Sequence, residues 1–246
     1  MGSLEIQEPA GTLVWRVGYR PEPWSWVGWE WASEGRFPGR WDDAEGNFRT
    51  VYAGSSLLGC LLELLADFRT DPLLEADLGQ IVEDPEDAGV FPTVPAGQAD
   101  PSWLASRLAA TARLTGRFCA VTTARSLAAL HPVFVGPALR LGLKDFDAAA
   151  LKDTRARELT QQLASHLYAT TTLAGVVFQS RHGDDITLWA VFERPGDGPI
   201  SPRLADITHH ELRVDDPEVK RAMDLLGLAW RAPAAPDSRG AAAPRP

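Results

Sequence analysis

Arg49-Thr-Val-Tyr-Ala-Gly-Ser-Ser-Leu-Leu-Gly-Cys-Leu-Leu-Glu-Leu-Leu-Ala-Asp-Phe-Arg69 is the stretch on which the fold turns. Arg49 to Ala53 is short and rich in β-formers, which predicts a strand. Ser55 or Ser56 then stands where a side-chain oxygen caps a helix, and the helix is expected to continue through Arg69. Leu57, Leu58, Leu61, Leu62, Leu64, Leu65 and Phe68 cover much of its circumference, the pattern of a largely buried helix. One acid, Glu63, interrupts this apolar run. An unpaired buried carboxylate is costly, so Glu63 must be paired, lie on a narrow solvent face or serve chemistry. Spacing alone favours the solvent face.

Upstream, Thr12 to Tyr19 alternates as a strand, Pro21 and Pro23 end it, and residues 24 to 48 form a Trp-, Gly- and Pro-rich loop. Downstream, Leu78 to Val82 predicts a strand and Glu83 to Asp100 an acidic surface loop. Ser102 to Arg113 predicts a helix, and Arg117 to Thr122 a strand. Ser126 to Leu143 predicts a helix in two pieces, broken around Pro132 and Pro137. The longest helix is expected from about Asp147 to Thr171. Gly175 to Phe178 and Ile186 to Phe192 read as strands around a turn with Gly183 at positive φ. Ile207 to Val214 predicts a further strand, and Pro217 to Leu226 a terminal helix with proline in its first turn. Strands mixed with helices, without regular βαβ alternation, indicate the α+β class and one core over residues 1 to 230. Residues 231 to 246 read as a disordered Ala/Pro-rich tail.

Composition narrows the function. Of 246 residues, 45% are hydrophobic and 23% charged, as in an ordinary soluble protein. Thirty-three acidic residues against 24 basic ones give a net charge of −9, which argues against nucleic acid as the main partner and leaves room for a local basic cleft. Cys60 and Cys119 stand alone, suiting a reducing cytoplasm rather than a disulfide scaffold or zinc site. No membrane span or signal peptide is evident. Phosphate-loop, dinucleotide-fingerprint, Gly-x-Ser-x-Gly and His-Glu-x-x-His signatures are absent. His209-His210 on a strand would point to opposite faces, so no shared metal is expected. Against this plain background, five of nine tryptophans fall between residues 15 and 31, and a sixth is Trp41.

Chemistry concentrates between Gly35 and Glu63. Arg36 and Arg40 each follow a glycine, and an arginine fork in such a loop suits phosphate or pyrophosphate. Tyr52 ends a strand, where its ring can border a cleft. A second candidate is Gly175-Val-Val-Phe-Gln-Ser180-Arg-His-Gly-Asp-Asp185, which sets Ser180, Arg181 and His182 at the mouth of a sheet. Taken alone it is an ordinary turn, and His182, Asp184 and Asp185 lack the spaced partner a metal cluster needs.

These segments together resemble the RES family. Gly39-Arg40-Trp41-Asp42-Asp43 is similar to its Gly-Arg-Phe/Trp motif. Thr50-Val-Tyr52-Ala-Gly-Ser, with Glu63 following, is similar to its Tyr-x-Ala-x-Ser…Glu motif, the alanine one place early. Gly175-Val-Val-Phe-Gln-Ser180 is similar to its Gly-Ile-x-Tyr-x-Ser strand, with Phe178-Gln179 in place of Tyr-Pro. Arg16 sits where the family has an early arginine, and the resemblance spans about residues 12 to 195.

The resemblance implies a mixed, split β core with surrounding helices, ADP-ribosyltransferase-like, around an NAD cleft. It implies an NAD⁺-consuming cytoplasmic enzyme that cleaves the nicotinamide–ribose bond by phosphorolysis or hydrolysis, a toxin of a toxin–antitoxin pair or a relative. NAD⁺ is then substrate rather than cofactor, inorganic phosphate the co-substrate of phosphorolysis, and a small helix-turn-helix antitoxin the protein partner. Glu63 would stabilise the ribosyl cation. Arg40, with Arg16, would bind phosphate oxygens; Tyr52 would stack on nicotinamide; and Ser180 would hydrogen-bond the ribose or nicotinamide side. Arg36 shares Arg40's Gly-Arg-aromatic setting, though Asp42-Asp43 and the distance to Tyr52 favour Arg40. Two other functions fit the same residues: mono-ADP-ribosyl transfer to a protein, and a non-catalytic module binding through the Trp-rich loop. Those tryptophans would serve as a lid, a partner surface or a wrap around the core.

Overall fold

Strands β1 (Ile6–Gln7), β2 (Thr12–Tyr19), β3 (Thr50–Gly54), β5 (Arg107–Leu114), β6 (Phe118–Ala120), β7 (Gly175–Ser180), β8 (Gly183–Phe192) and β9 (Leu204–His210) form one curled sheet. Their order is β1-β6-β7-β8-β3-β2-β5-β9. Only β6 and β7 run parallel; every other neighbouring pair is antiparallel. A small parallel pair joins β4 (Gln98–Ala99) to β10 (Ala229–Trp230). The helices are α1 (Leu57–Leu65), α2 (Ser102–Ala105), α3 (Ala124–Arg140), α4 (Arg157–Thr170) and α5 (Pro217–Leu226). This computed structural model describes residues 3–69 and 97–232. The strand expected at Leu78 to Val82, most of the acidic stretch and the tail beyond residue 232 lie outside them.

The mixed α+β class is as the sequence predicts, and the sheet is pinched in the middle. β2 pairs with β5 from Thr12↔Leu114 to Tyr19↔Arg107, but touches β3 only at Trp15↔Gly54. Arg16 fills the resulting gap. Its Nη1 donates to Tyr52 O at 2.8 Å and its Nε to Pro23 O at 2.5 Å, serving a β3 carbonyl that β2 does not reach. One core contains residues of α1, α3, α4 and α5, including Leu61, Leu65, Phe134, Leu163 and Met223. The other combines Val14, Val51, Ala110, Ala112, Trp189 and Val191 with Trp24 and Trp26 from the loop after β2.

Three elements differ from expectation, each for a physical reason. Arg107–Leu114 is a strand, and only Ser102–Ala105 of the expected helix forms. β5 lies between β2 and β9, and its Ala109, Ala110 and Ala112 are fully buried, so packing overrides alanine's helical preference. α3 is unbroken despite Pro132 and Pro137. The carbonyls those prolines cannot serve belong to Ala128 and Val133, both exposed positions, where solvent can reach them. α4 begins at Arg157, ten residues later than expected. Asp147 accepts from Ala150 N at 2.7 Å and Asp153 from Arg155 N at 2.9 Å, and these local bonds hold two 3-10 turns instead.

The remaining differences are small. α1 starts at the Ser56 cap and passes into a 3-10 turn at Ala66–Phe68. β7 extends through Ser180, and β8 begins at Gly183 without a positive φ. β9 is shifted toward the N-terminus of its expected span. α5 has the predicted ends, with Gly227 at φ 67° closing it.

Candidate active site

Glu63 rides on α1, which the sequence sets close to the sheet. Ser56 Oγ accepts from Gly59 N at 3.1 Å to start the helix. Gly59 then faces β8, where a Cβ would stand 2.7 Å from Ile186 Cγ2, so a larger residue would lift the helix. Glu63 is half-buried and paired. The hydroxyl of Ser180, only 1% exposed at the end of β7, donates to Glu63 Oε1 and accepts from His182 N–H at 2.9 Å. That bond, across 117 positions of sequence, answers why an acid interrupts an apolar helix.

The Gly39–Asp43 loop is built around Tyr52. Its hydroxyl donates to Asp42 Oδ1 at 2.9 Å and accepts from Trp41 N–H at 2.9 Å. Gly39 N–H donates to Asp42 Oδ2 at 2.6 Å, and Thr50 Oγ1 donates to Trp41 O at 3.2 Å. A Cβ on Gly39 would lie 2.6 Å from Tyr52 Oη, so this close approach requires glycine. Burial pushes the Tyr52 phenol well above its usual range, and the Asp42 carboxylate adds to the effect. Burial also raises Asp42, while the Tyr52 hydroxyl and the Gly39 amide pull it back.

Arg40 is the least committed group of this loop. Its Nη1 makes one long contact, 3.4 Å to Leu151 O. Burial lowers its pKa, Glu63 and Tyr52 oppose that, and Arg181 and Arg157 reinforce it. Arg40 therefore shares an electrostatic neighbourhood with Glu63 and further cations. His182 shares it too: burial lowers its pKa, Glu63 opposes, and Arg181, Arg69 and Arg40 add to the fall. Arg181 Nε donates to His182 Nε2 at 3.1 Å, a bond that the neutral ring can accept. Lys152 pairs with Asp184 beside this group. In a chain of net charge −9, Arg40 and His182 thus feel Arg181, with Arg157 acting on Arg40 and Arg69 on His182, a locally cationic setting suited to an anionic ligand.

The other sequence-predicted residues are placed elsewhere. Arg36 is exposed, bridged to Ser33 and paired with Glu34 at 3.1 Å, away from this group. Arg16 lies beneath it, with two donors committed to backbone; burial lowers its pKa, and Cys60, Tyr52 and Asp42 oppose. Trp24 and Trp26 are core residues, whereas Trp29 and Trp31 are exposed, Trp31 by 76%. Arg181, His182, Asp42 and Arg157 are members of the site that sequence reasoning did not assign a role. Asp42 had a signal, its place beside Arg40; Arg157 had none, because its partner is the distant Pro38. Among the described residues, no group of three or more His, Cys, Asp or Glu could hold a metal ion. Grooves of about 520 Å³ at Leu4, Ile6, Arg117 and Ala169–Leu173, and about 400 Å³ at Leu127–Pro132 and Phe146, contain none of the site residues. No helix among the described residues is long and apolar enough to cross a membrane.

Neither a curated protein nor a solved structure matches the chain. A family model does: the RES domain matches residues 13–215, which include Arg16, Arg40, Tyr52, Glu63 and Ser180. The chain belongs to the RES domain family, and at family level it is a toxin-like, NAD-related domain.

Proposed function

We propose that this protein cleaves the nicotinamide–ribose bond of NAD⁺, transferring ADP-ribose to phosphate or water. The observation that supports the reading is the Ser180–Glu63 bond, with the cationic Arg40 close enough for Glu63's charge to act on it, from three separated parts of the chain. Nicotinamide in NAD⁺ is already a cationic leaving group. The C1′–N bond breaks with its electron pair going to the ring, so no strong general acid is required. The ribosyl cation left behind needs a fixed negative charge, and the pyrophosphate needs fixed positive charge.

Glu63 supplies the first, held by the Ser180 hydroxyl. Arg40 supplies the second, with Arg16 Nη2 in support, since Arg16 Nε and Nη1 are taken. The Tyr52 ring borders nicotinamide while its hydroxyl holds the Arg40 loop. A phosphate or water oxygen then bonds to C1′; water gives up a proton in doing so. The ADP-ribosyltransferase-like label follows from the family resemblance, as do the toxin role and the helix-turn-helix antitoxin.

The test is incubation of the purified protein with NAD⁺, with and without phosphate, while nicotinamide and the ADP-ribose product are followed. Nicotinamide release beyond that of Glu63→Ala and Arg40→Ala supports the reading, and the product distinguishes phosphorolysis from hydrolysis. Absence of turnover in both conditions removes it. Label from NAD⁺ appearing only on protein would instead make the enzyme an ADP-ribosyltransferase. The Trp-rich loop is a poorer basis for function, because two of its four tryptophans are buried.

A further inference from the structure

One face of α4 follows the Arg40 loop contact by contact. Arg157 Nη1 donates to Pro38 O at 2.6 Å. One turn on, Gln161 Nε2 donates to Gly39 O at 3.0 Å and Phe37 O at 3.3 Å. A further turn on, Ser165 Oγ donates to Asp43 Oδ1 and accepts from Ala44 N–H at 3.0 Å. Tyr168 completes the row, its ring stacked on Phe48 with centroids 4.1 Å apart. Positions 157, 161 and 165 recur at i, i+4, so they project from one face. Loop and helix therefore run side by side from Phe37 to Phe48.

The loop has little else to hold it on that side. Its carbonyls at Phe37, Pro38 and Gly39 have no strand partner; Arg157 and Gln161 serve all three, and Gly39 O also accepts from Asp42 N–H at 3.3 Å. Gln161 bonds the carbonyls at and two residues before the peptide that leads into Arg40. Its amide therefore fixes the direction in which the Arg40 side chain departs. Arg157 contributes charge as well as a hydrogen bond, and Ser165 acts at the Asp43 end; Gln161 alone is both uncharged and adjacent to Arg40.

We infer that Gln161 is the positioning residue of Arg40, and that α4 sets anion affinity through it. The inference rests on Arg40 meeting the phosphates of NAD⁺. Gln161 touches no reacting atom; it acts through the loop. Replacing Gln161 by methionine keeps length and removes both hydrogen bonds, and Gln161→Glu also sets a carboxylate against two carbonyls.

The experiment pairs kinetics with amide hydrogen exchange on the full chain, using Gln162→Met as control, since among the described residues the Gln162 side chain bonds only Glu158, at 2.8 Å. Gln161→Met is expected to raise the KM for NAD⁺ about tenfold and leave kcat within about threefold, with Gln161→Glu worse. Exchange should quicken in the peptide covering residues 37–44 and stay unchanged in β7 and α5. Gln162→Met should match wild type in both. A kcat loss with unchanged KM, or unaltered exchange over 37–44, overturns the assignment. If wild-type protein releases no nicotinamide, the NAD⁺ reading fails by itself, and the exchange data alone decide whether Gln161 orders the loop.

Discussion

Residues 21–31 and 35–44 look alike in sequence, both irregular and rich in Gly, Pro and aromatic side chains, yet they are fixed by different mixtures of burial and polar bonding. The first is anchored by two buried indoles, with polar bonds added: Trp24 and Trp26 share a core with Val51, Ala112 and Trp189, Trp26 bonds Gly198 O and Pro199 O, and Arg16 Nε donates to Pro23 O. The second is held by polar bonds: Asp42, Tyr52, Thr50 and the α4 face account for its backbone donors and acceptors. Apolar burial is non-directional and tolerates a small shift, whereas hydrogen bonds fix orientation. The loop around Arg40 relies more on directional bonds, and the loop over the sheet more on buried indoles.

The comparison can be broken most forcefully at Trp24. Trp24→Ala should cost about 3–5 kcal/mol of stability, measured by urea unfolding, through the lost ring and the cavity left behind. At a temperature where it remains folded, its KM for NAD⁺ should match wild type; a raised KM would mean the first loop also shapes the site. Next come Glu63→Ala and Arg40→Ala, expected to lower nicotinamide release about 10²–10³-fold while melting near wild type. Rates within a few fold of wild type would place the chemistry elsewhere.

Gly39→Ala should destabilise by about 1–3 kcal/mol, because its new methyl group meets Asp42 and Tyr52 Oη. Unchanged stability would show that the loop is looser than its hydrogen bonds indicate. The smallest effect concerns His182, whose pKa lies below the ordinary histidine value chiefly through burial. The folded protein therefore takes up that proton less readily than the unfolded chain, which lowers stability as pH falls below about 6.5 and has no effect well above it. Melting curves should show His182→Gln losing less stability than wild type between about pH 7.5 and pH 5. Parallel losses would indicate that the ring is not desolvated.

Legibility in the sequence followed the range of the forces involved. β2 and α5 announce themselves through local periodicity and, in α5, through Pro217 and Gly227 at the ends. β5 does not, because its alanines are helix formers made into a strand by neighbours on both sides. The prolines of α3 misled for the same reason: only the solvent exposure of Ala128 and Val133 makes them harmless. The site divides similarly. Arg40, Tyr52, Glu63 and Ser180 stand in motifs, and the structure brings Ser180 to Glu63 and Tyr52 to the Arg40 loop. Arg36 shares Arg40's Gly-Arg-aromatic setting; Asp42-Asp43 and the distance to Tyr52 favour Arg40 in sequence, and tertiary placement separates the two. Gln161 stands in a stretch, Leu159-Thr-Gln…Tyr168, that resembles family members, but its contacts are illegible locally because its partners lie more than a hundred residues upstream.

The contact between α1 and α5 has a practical consequence for where the molecule can be cut. The family match stops at residue 215, before α5 begins. Yet Val219, Ala222, Met223 and Leu226 are buried in the same core as Leu61, Leu62 and Leu65 of the helix that carries Glu63. β10 then pairs with β4 immediately beyond. A truncation at the family boundary would uncover the back of α1 and leave its carboxylate on a half-supported helix. The packed core reaches Leu228, with Trp230 against it, beyond the last residue of the family match.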